Sequence, residues 1–311
     1  MRVINEINRN EVRSGLGVGL GNFDGLHIGH MSLISDLLAE CEVRNINSMV
    51  YTFNNHTENV LSNKKGVPQI ITLEKKIELL SRTKINYIYL EDFNRQYAQM
   101  EPEAFVKNIL IDRLNTKFIV IGFNYTFGRN SSGNTELMKY YGRKYNFDVL
   151  EIPPIKIGKD IISSTLIRKY VRSGDVNKFR ICTGRYYSIY GLVQMGRQIG
   201  TTLGFPTANI IPENYLVLPR PGVYITYTVL DGGIYNSITN VGNNPTFKGS
   251  GKISCETHIF GRQGNLYGKR IEVFFMAKLR GEIKFENKDE LCKQINMDII
   301  AAREFFHAAE S

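Results

Sequence analysis

Gly17-Val18-Gly19-Leu20-Gly21-Asn22-Phe23-Asp24-Gly25-Leu26-His27-Ile28-Gly29-His30 decides how this chain is read. Gly17–Leu20 reads as a short buried strand. His30–Val43 reads as an amphipathic helix. The turn between them places two histidines three residues apart with Gly29 in between. Gly29 lets backbone approach a phosphate closely, and a helix start adds N–H groups and the positive end of a dipole. Two imidazoles there can donate to the oxygens of an α-phosphate as it becomes pentavalent. Donors aimed at developing charge are each worth roughly 10²–10³ in rate. An isolated H-x-G-H also suits a helix-start loop carrying two surface histidines. Zinc fits less well, because no third ligand is placed and the spacing is not H-E-x-x-H.

Outward from this turn, apolar runs alternate with amphipathic stretches over the first ~180 residues, the size of one domain. Further candidate strands are Ser48–Phe53, Tyr87–Leu90, Phe118–Ile121 and Phe147–Ile152. Helical patterns cover Leu73–Arg82, Pro102–Leu114 and Thr135–Tyr145. Thr72 is placed to cap the first of these, and Pro102 suits a first helical position. Such alternation predicts an α/β domain with a parallel sheet covered on both faces. Ligands of such sheets sit at the carboxyl ends of the strands, where the His27/His30 turn falls.

The pattern changes near Thr183. Tyr186–Val193, Val223–Leu230, Ile234–Thr239, Ile253–Phe260 and Ile271–Lys278 are short β-rich runs separated by Gly, Pro, Asn and Asp. Asp231-Gly232-Gly233 is a strong hairpin signal. These runs predict a small antiparallel barrel. Leu291, Ile295, Ile299 and Phe306 recur on one side of a closing helix, Lys288–Ala309. The domains are expected at 1–183 and 184–311.

The 311 residues carry a net charge of +9, which suits anionic ligands. Lys and Arg are spread without a dense run or an RNA-binding aromatic signature, so nucleic acid is not expected as a partner. The polar segment Met1 to Arg13 lacks the apolar core of a signal peptide, and no apolar run approaches the ~18 residues of a membrane helix. The four cysteines, Cys41, Cys182, Cys255 and Cys292, are far apart and read as reduced thiols. A cytoplasmic protein acting on small molecules, as a monomer or weak homo-oligomer, is the expectation.

Two later motifs extend the chemistry. In Ile162-Ser163-Ser164-Thr165-Leu166-Ile167-Arg168, three hydroxyls precede a helix and Arg168 lies one turn in. Ser163 or Ser164 can simply cap that helix. Hydroxyls, free N–H groups and a guanidinium also make a second phosphate site, suited to a pyrophosphate leaving group. In Gly204-Phe205-Pro206-Thr207-Ala208-Asn209, Thr207 and Asn209 are two apart and face one side of an extended chain. Their hard oxygens suit Mg²⁺, although a Pro-Thr turn alone would explain the hexapeptide equally well.

Together these motifs resemble the bacterial bifunctional riboflavin kinase/FMN adenylyltransferase (FAD synthetase) family. The first turn and I-S-S-T-x-I-R are similar to its Rossmann-like nucleotidyltransferase module. Ile121-Gly122-Phe123-Asn124-Tyr125-Thr126-Phe127-Gly128 matches a third motif of that module, near flavin and nucleotide. Gly204–Asn209 resembles the G-F-P-T-A-N of riboflavin kinases. Pro221–Tyr224, Val241–Phe247, Glu256-Thr257-His258, Leu266-Tyr267-Gly268 and Leu279–Phe285 follow in the family's order, so the resemblance spans roughly residues 10–308. It implies ATP, riboflavin, FMN and FAD as substrates or products, with Mg²⁺. By the resemblance His27 and His30 stabilise adenylyl transfer. Gly21, Asn22, Phe23, Asp24, Gly29, Ser163, Ser164, Thr165 and Arg168 bind ATP, and Asn124 and Phe127 bind flavin. In the kinase half Glu256 is the general base, and Thr207 and Asn209 hold the metal.

Three departures from the family pattern bear on loops. Phe53-Asn54-Asn55-His56-Thr57 stands for F-N-P-H-P, Gly200-Thr201-Thr202-Leu203 for G-R-x-L, and Gly261–Asn265 lacks the usual acidic residues. Thr201 cannot make an arginine's bidentate phosphate contact. Gly249-Ser250-Gly251-Lys252 is read as a turn, because a P-loop would need glycine at Thr246 and a hydroxyl at Ile253. Adenylyl transfer alone with an inactive kinase barrel, and a non-catalytic flavin sensor, are the alternatives to the two-step enzyme.

Overall fold

The structure is a computed structural model that describes residues 1–6, 12, 14–54, 66–196, 200, 203–213, 215–243, 253–262 and 264–310. His56, Thr57, Thr201 and the turn at 249–252 lie outside the described residues. The chain forms two compact units, Met1–Leu166 and Ile167–Ser311.

The first unit holds a six-stranded sheet in the order β1-β4-β3-β2-β5-β6, paired in parallel throughout. The strands are β1 (Arg2–Ile4), β2 (Leu16–Leu20), β3 (Asn47–Phe53), β4 (Tyr87–Glu91), β5 (Thr116–Gly122) and β6 (Asp148–Ile152). All five residues of β2 are buried, as expected of a strand covered on both faces. Helix α1 (Ile28–Arg44) turns Leu33, Ile34, Leu37 and Cys41 inward. It lies so close to β2 that a Cβ at Gly17 would run into the Cys41 sulfur. Helix α2 (Leu73–Ser81) is capped by Thr72, whose hydroxyl accepts the Lys75 N–H at 3.2 Å. A short helix α3 (Arg95–Ala98) follows β4. Helix α5 (Thr135–Tyr145) leads into β6.

The Pro102–Leu114 stretch departs from expectation. Pro102 is the first helical residue of α4 (Pro102–Ala104), but Phe105–Arg113 then continues as a π-helix. Phe105, Val106, Ile109 and Leu110 all reach the core in this wider coil. Also unforeseen are the edge strand β1 and a hairpin of β7 (Lys156–Ile157) with β8 (Asp160–Ile161). Each is only two or three residues, too short to carry a period.

The chain runs from β2 to β3 and β4 on one side, then returns to the other side of β2 for β5. The order reverses between β2 and β5, so the crevice beyond their carboxyl ends is the expected ligand site of such a sheet.

In the second unit, strands β9 (Tyr187–Gln194), β10 (Ala208–Ile210), β11 (Gly222–Leu230), β12 (Gly233–Asn243), β13 (Ile253–Ile259) and β14 (Arg270–Arg280) close into an antiparallel barrel. The β11–β12 turn has positive φ at Asp231 (51°) and Gly232 (79°), the conformation a two-residue hairpin demands. Thr226, Thr228, Ser237, Thr239 and Thr257 are wholly buried, and their hydroxyls link in one chain with spacings of 2.8–2.9 Å. The short strand β10 completes the closure and was not foreseen. Helix α7 (Val176–Thr183) precedes β9, with Phe179 edge-on to Tyr187. The closing helix α8 (Lys288–Glu310) packs Ala302 and Phe306 on Val223, Ile225 and Ile238. Buried Asp298 of α8 accepts a bidentate bridge from Arg280 at 2.7–3.1 Å.

Candidate active sites

The turn after β2 is strained. Phe23 and Leu26 take φ values of 49° and 38°, in the left-handed region that bulky side chains avoid, and both are buried. Each such residue costs on the order of 1–3 kcal/mol and persists only where its surroundings enforce it. The enforcing contacts are visible. Asp24 is buried, and its Oδ1 accepts the Ile70 N–H at 2.9 Å. The Asp24 carbonyl accepts the Ser164 hydroxyl at 2.9 Å, which joins the first motif to the Ser-Ser-Thr element. The Thr52 hydroxyl donates to the Asn22 carbonyl at 3.1 Å.

His27 caps α1. Its Nδ1 accepts the His30 N–H at 3.2 Å, so the ring proton belongs on Nε2. The two imidazoles stack at 3.6 Å between centroids and 14° between planes. Gly29 makes room for this. A Cβ there would stand 3.2 Å from the His27 ring. His27 is buried and His30 half-buried. The arrangement offers paired imidazole edges beside the start of a 17-residue helix.

Ser163 and Ser164 divide their roles. The Ser163 hydroxyl caps helix α6 (Ser164–Ser173) by accepting the Leu166 N–H at 3.3 Å, while Ser164 reaches back to Asp24. Thr165 is exposed, and Arg168 is buried one turn into the same helix. After β5, Asn124 is exposed beyond the strand end. Phe127, expected on flavin, is mostly buried and packs into the core. It stacks on Tyr125 at 5.9 Å and tilts against Phe105 at 5.7 Å.

Two features at this edge were missed from sequence. One is an aromatic wall at the ends of β3 and β4. There the Tyr51 hydroxyl donates to Glu91 at 2.6 Å, lies 3.0 Å from Tyr97, and Phe53 packs edge-on to Phe93 and Tyr97. Burial holds the Tyr51 and Tyr97 hydroxyls well above the ordinary tyrosine range, so both stay protonated. The alternate spacing of Tyr51 and Phe53 on one strand was its sequence signal. The other is Lys76 of α2, which reaches the Asn22 carbonyl at 2.9 Å. It follows another lysine in an amphipathic helix and carries no local signal.

In the barrel, the register places Gln194, Asn209, Glu256 and Asn240 directly opposite one another across β9, β10, β13 and β12. Residues paired this way share one face of the sheet. Thr207, two before Asn209, belongs to the same side. Asn209 is only 5% exposed, and its Oδ1 has no hydrogen-bond partner among the described residues. A buried amide oxygen left so is costly unless something binds it. With Thr207 beside it and Glu256 opposite, it fits a hard cation. No group of three or more His, Cys, Asp or Glu side chains that could hold a metal occurs among the described residues, so a metal here would rely on neutral oxygens, water and substrate phosphates. The His258 Nδ1 lies 2.9 Å from the Pro206 carbonyl and must donate, which ties β13 to the segment carrying Thr207 just before β10. Burial pushes the Cys255 thiol up to about 12 and the Cys41 thiol up to about 11, so neither is a thiolate nucleophile at neutral pH.

Comparison with known proteins matches both units. The FAD synthetase family model matches residues 9–166, and the riboflavin kinase model matches residues 183–306. The bifunctional riboflavin kinase/FMN adenylyltransferase of Buchnera aphidicola subsp. Schizaphis graminum is 37% identical over 311 residues, covering 99% of each chain. Those of Haemophilus influenzae and Escherichia coli K12 are 32% and 31% identical, covering 97% and 94% of each chain. A Streptococcus pneumoniae structure described as a macrolide-efflux protein has a TM-score of 0.86 at 29% identity, covering 97% of this chain and 98% of its own. No described helix of the present chain is long and apolar enough to cross a membrane. With both units matched in order and full-length relatives above 30% identity, this chain belongs to the bacterial bifunctional riboflavin kinase/FMN adenylyltransferase family.

Proposed function

We propose that the chain makes FAD in two ATP-dependent steps, one on each unit. The observation that carries the reading is the pairing of two sites. Stacked His27 and His30 stand at the sheet's order reversal, and Glu256 faces the Asn209 oxygen, which has no hydrogen-bond partner among the described residues of the barrel.

In the barrel, the riboflavin 5′-hydroxyl attacks the γ-phosphate of ATP. The γ-phosphoryl bond to ADP breaks, and FMN forms. Glu256 orients that hydroxyl and takes its proton. Thr207 and Asn209 would hold Mg²⁺, which when bound neutralises phosphate charge. His258 positions the Pro206–Thr207 segment.

In the first unit, an FMN phosphate oxygen attacks the α-phosphorus of a second ATP. The α–β bond breaks, and pyrophosphate leaves without a covalent enzyme intermediate. The His27 Nε2–H and the His30 ring donate to the α-phosphate oxygens as charge builds there. Gly21, Asn22, Phe23, Asp24 and Gly29 shape the nucleotide turn. Thr165, Arg168 and the N–H groups of α6 take the pyrophosphate, while Ser163 caps the helix and Ser164 fixes its start to Asp24. Asn124 meets the flavin, and Phe127 supports that wall from the core. We place the functional division at 183/184, so that α6 serves the adenylyl site. A cytoplasmic site of action, as a monomer or weak homo-oligomer, accords with four free cysteines, three of them buried.

Isotope fate tests this directly. Label at the γ-phosphate of ATP should appear in FMN made from riboflavin. Label at the α-phosphate should appear in FAD made from FMN, with unlabelled pyrophosphate released. Failure of α-label to enter FAD would refute the adenylyl step.

A further inference from the structure

Lys76 reaches from α2 into a cleft lined by Asn22, Asp24, Phe53, Asn54, Gln69 and Leu73. Its ammonium donates to the Asn22 carbonyl at 2.9 Å and lies 3.4 Å from both the Thr52 hydroxyl and the Phe53 carbonyl. One ammonium therefore ties the turn after β2 to the carboxyl end of β3. We propose that Lys76 is a positioning residue of the adenylyl-transfer step. Its charged form holds the turn from Asn22 to His27 in the shape that presents the two imidazoles, and its deprotonation turns that step down. This rests on the adenylyltransferase reading of the first unit.

An ammonium has three N–H donors for three acceptors. A neutral amine has two, and they are no longer charge-assisted. On loss of the proton one of the three contacts loses its lysine donor, and the hold on Asn22 weakens. The turn carries two residues at unfavourable φ, so it needs that hold. Burial pushes Lys76 down to about 8, opposed by the Asp24 carboxylate. From the turn, Asp24 is the charged group facing it among the described residues. The β3 groups and Gln69 around it are uncharged, and on its own helix Lys75 pairs with Glu78 at 2.9 Å.

The pH dependence has a defined sign. The folded lysine loses its proton near 8, and the unfolded one near 10.5. Between these values the unfolded chain binds the additional proton, so the Lys76 contribution to stability rises with pH. Adenylyl transfer falls over the same interval. A lysine with a merely structural role would not produce that opposition.

The test measures kcat/KM for FAD formation from FMN and MgATP on the full-length chain, which reports groups of the free enzyme. The wild type should show an alkaline limb with a midpoint near pH 8. Lys76→Met should be roughly 10-fold or more slower at neutral pH and lack the limb, while Lys76→Arg, always charged, should also lack it. Urea unfolding between the two pKa values should show the wild type gaining stability with pH relative to Lys76→Met. A wild-type neutral rate in Lys76→Met, or a limb near 8 that survives in Lys76→Arg, overturns the proposal. Should Lys76→Met not fold, the Lys76→Arg profile alone decides. Absence of FAD formation by the wild type at every pH would instead defeat the adenylyltransferase reading.

Discussion

At its Nδ1, His27 accepts the His30 N–H, and at its Nε2 it keeps a proton to donate. The cap and the proposed catalytic donor are therefore separable. Asparagine also caps helices well, so His27→Asn should leave urea stability within about 0.5 kcal/mol of wild type. FAD formation should nonetheless fall by roughly 10²-fold, because the imidazole donor is gone. The barrel offers a matching test at Asn209. Replacing the amide by Leu removes a buried acceptor with no partner among the described residues, so Asn209→Leu should not lower stability. It should raise the Mg²⁺ concentration needed for FMN formation by about tenfold or more, given the loss of one hard ligand, and leave FAD formation from FMN unchanged. Titrating Mg²⁺ in both assays checks this. At this scale the sequence singled out the histidines, hydroxyls and Glu256, because each stands in a motif. It could not assign Ser163 and Ser164 their separate tasks, which depend on Asp24 arriving from 140 residues away. Lys76 is invisible for the same reason, since its acceptors come from two other elements. Phe127 is mostly buried, and an aromatic beside a ligand loop and an aromatic beneath it look alike in sequence.

Among elements, packing of α1 on β2 sets where the turn emerges. The alternation Leu16-Gly17-Val18-Gly19-Leu20 keeps that helix close, with Gly17 under the Cys41 sulfur. Gly17→Ala should cost about 1–3 kcal/mol by overpacking. Cys41→Ala in the same chain should restore much of that, since it removes the atom in the way. Denaturation of the two single variants and the double variant measures the coupling. On α8, Asp298→Ala strands a guanidinium that is largely buried. Loss of one partner of such a pair costs roughly 3–5 kcal/mol. That loss should appear in unfolding of the barrel, followed by its tyrosine signal. Apart from α7, which was not expected, strands and helices of five or more residues were legible from period and turn chemistry. Strand β10 was not, because three residues with a central Asn carry no alternation, and its neighbours β9 and β13 define it through pairing. The π-helix was also hidden. Both coils bury the same apolar side chains, and what differs is the backbone register, ending in a bond from Leu114 N–H to the Ile109 carbonyl.

For the molecule as a whole, the claim is that one chain runs two phosphate chemistries on two separate sites. The order of motifs already implied two modules, and the parallel sheet and closed barrel give each a fold suited to its step. The measurement that bears most directly on this is flavin analysis of wild type, His30→Ala and Glu256→Ala, each supplied with MgATP and either riboflavin or FMN. Wild type should convert riboflavin through FMN to FAD. His30→Ala should accumulate FMN, with FAD formation down by roughly 10²-fold or more. Glu256→Ala should fail on riboflavin yet make FAD from supplied FMN at the wild-type rate. Equal loss of both steps in either variant, or no FAD from FMN in the wild type, would contradict the account.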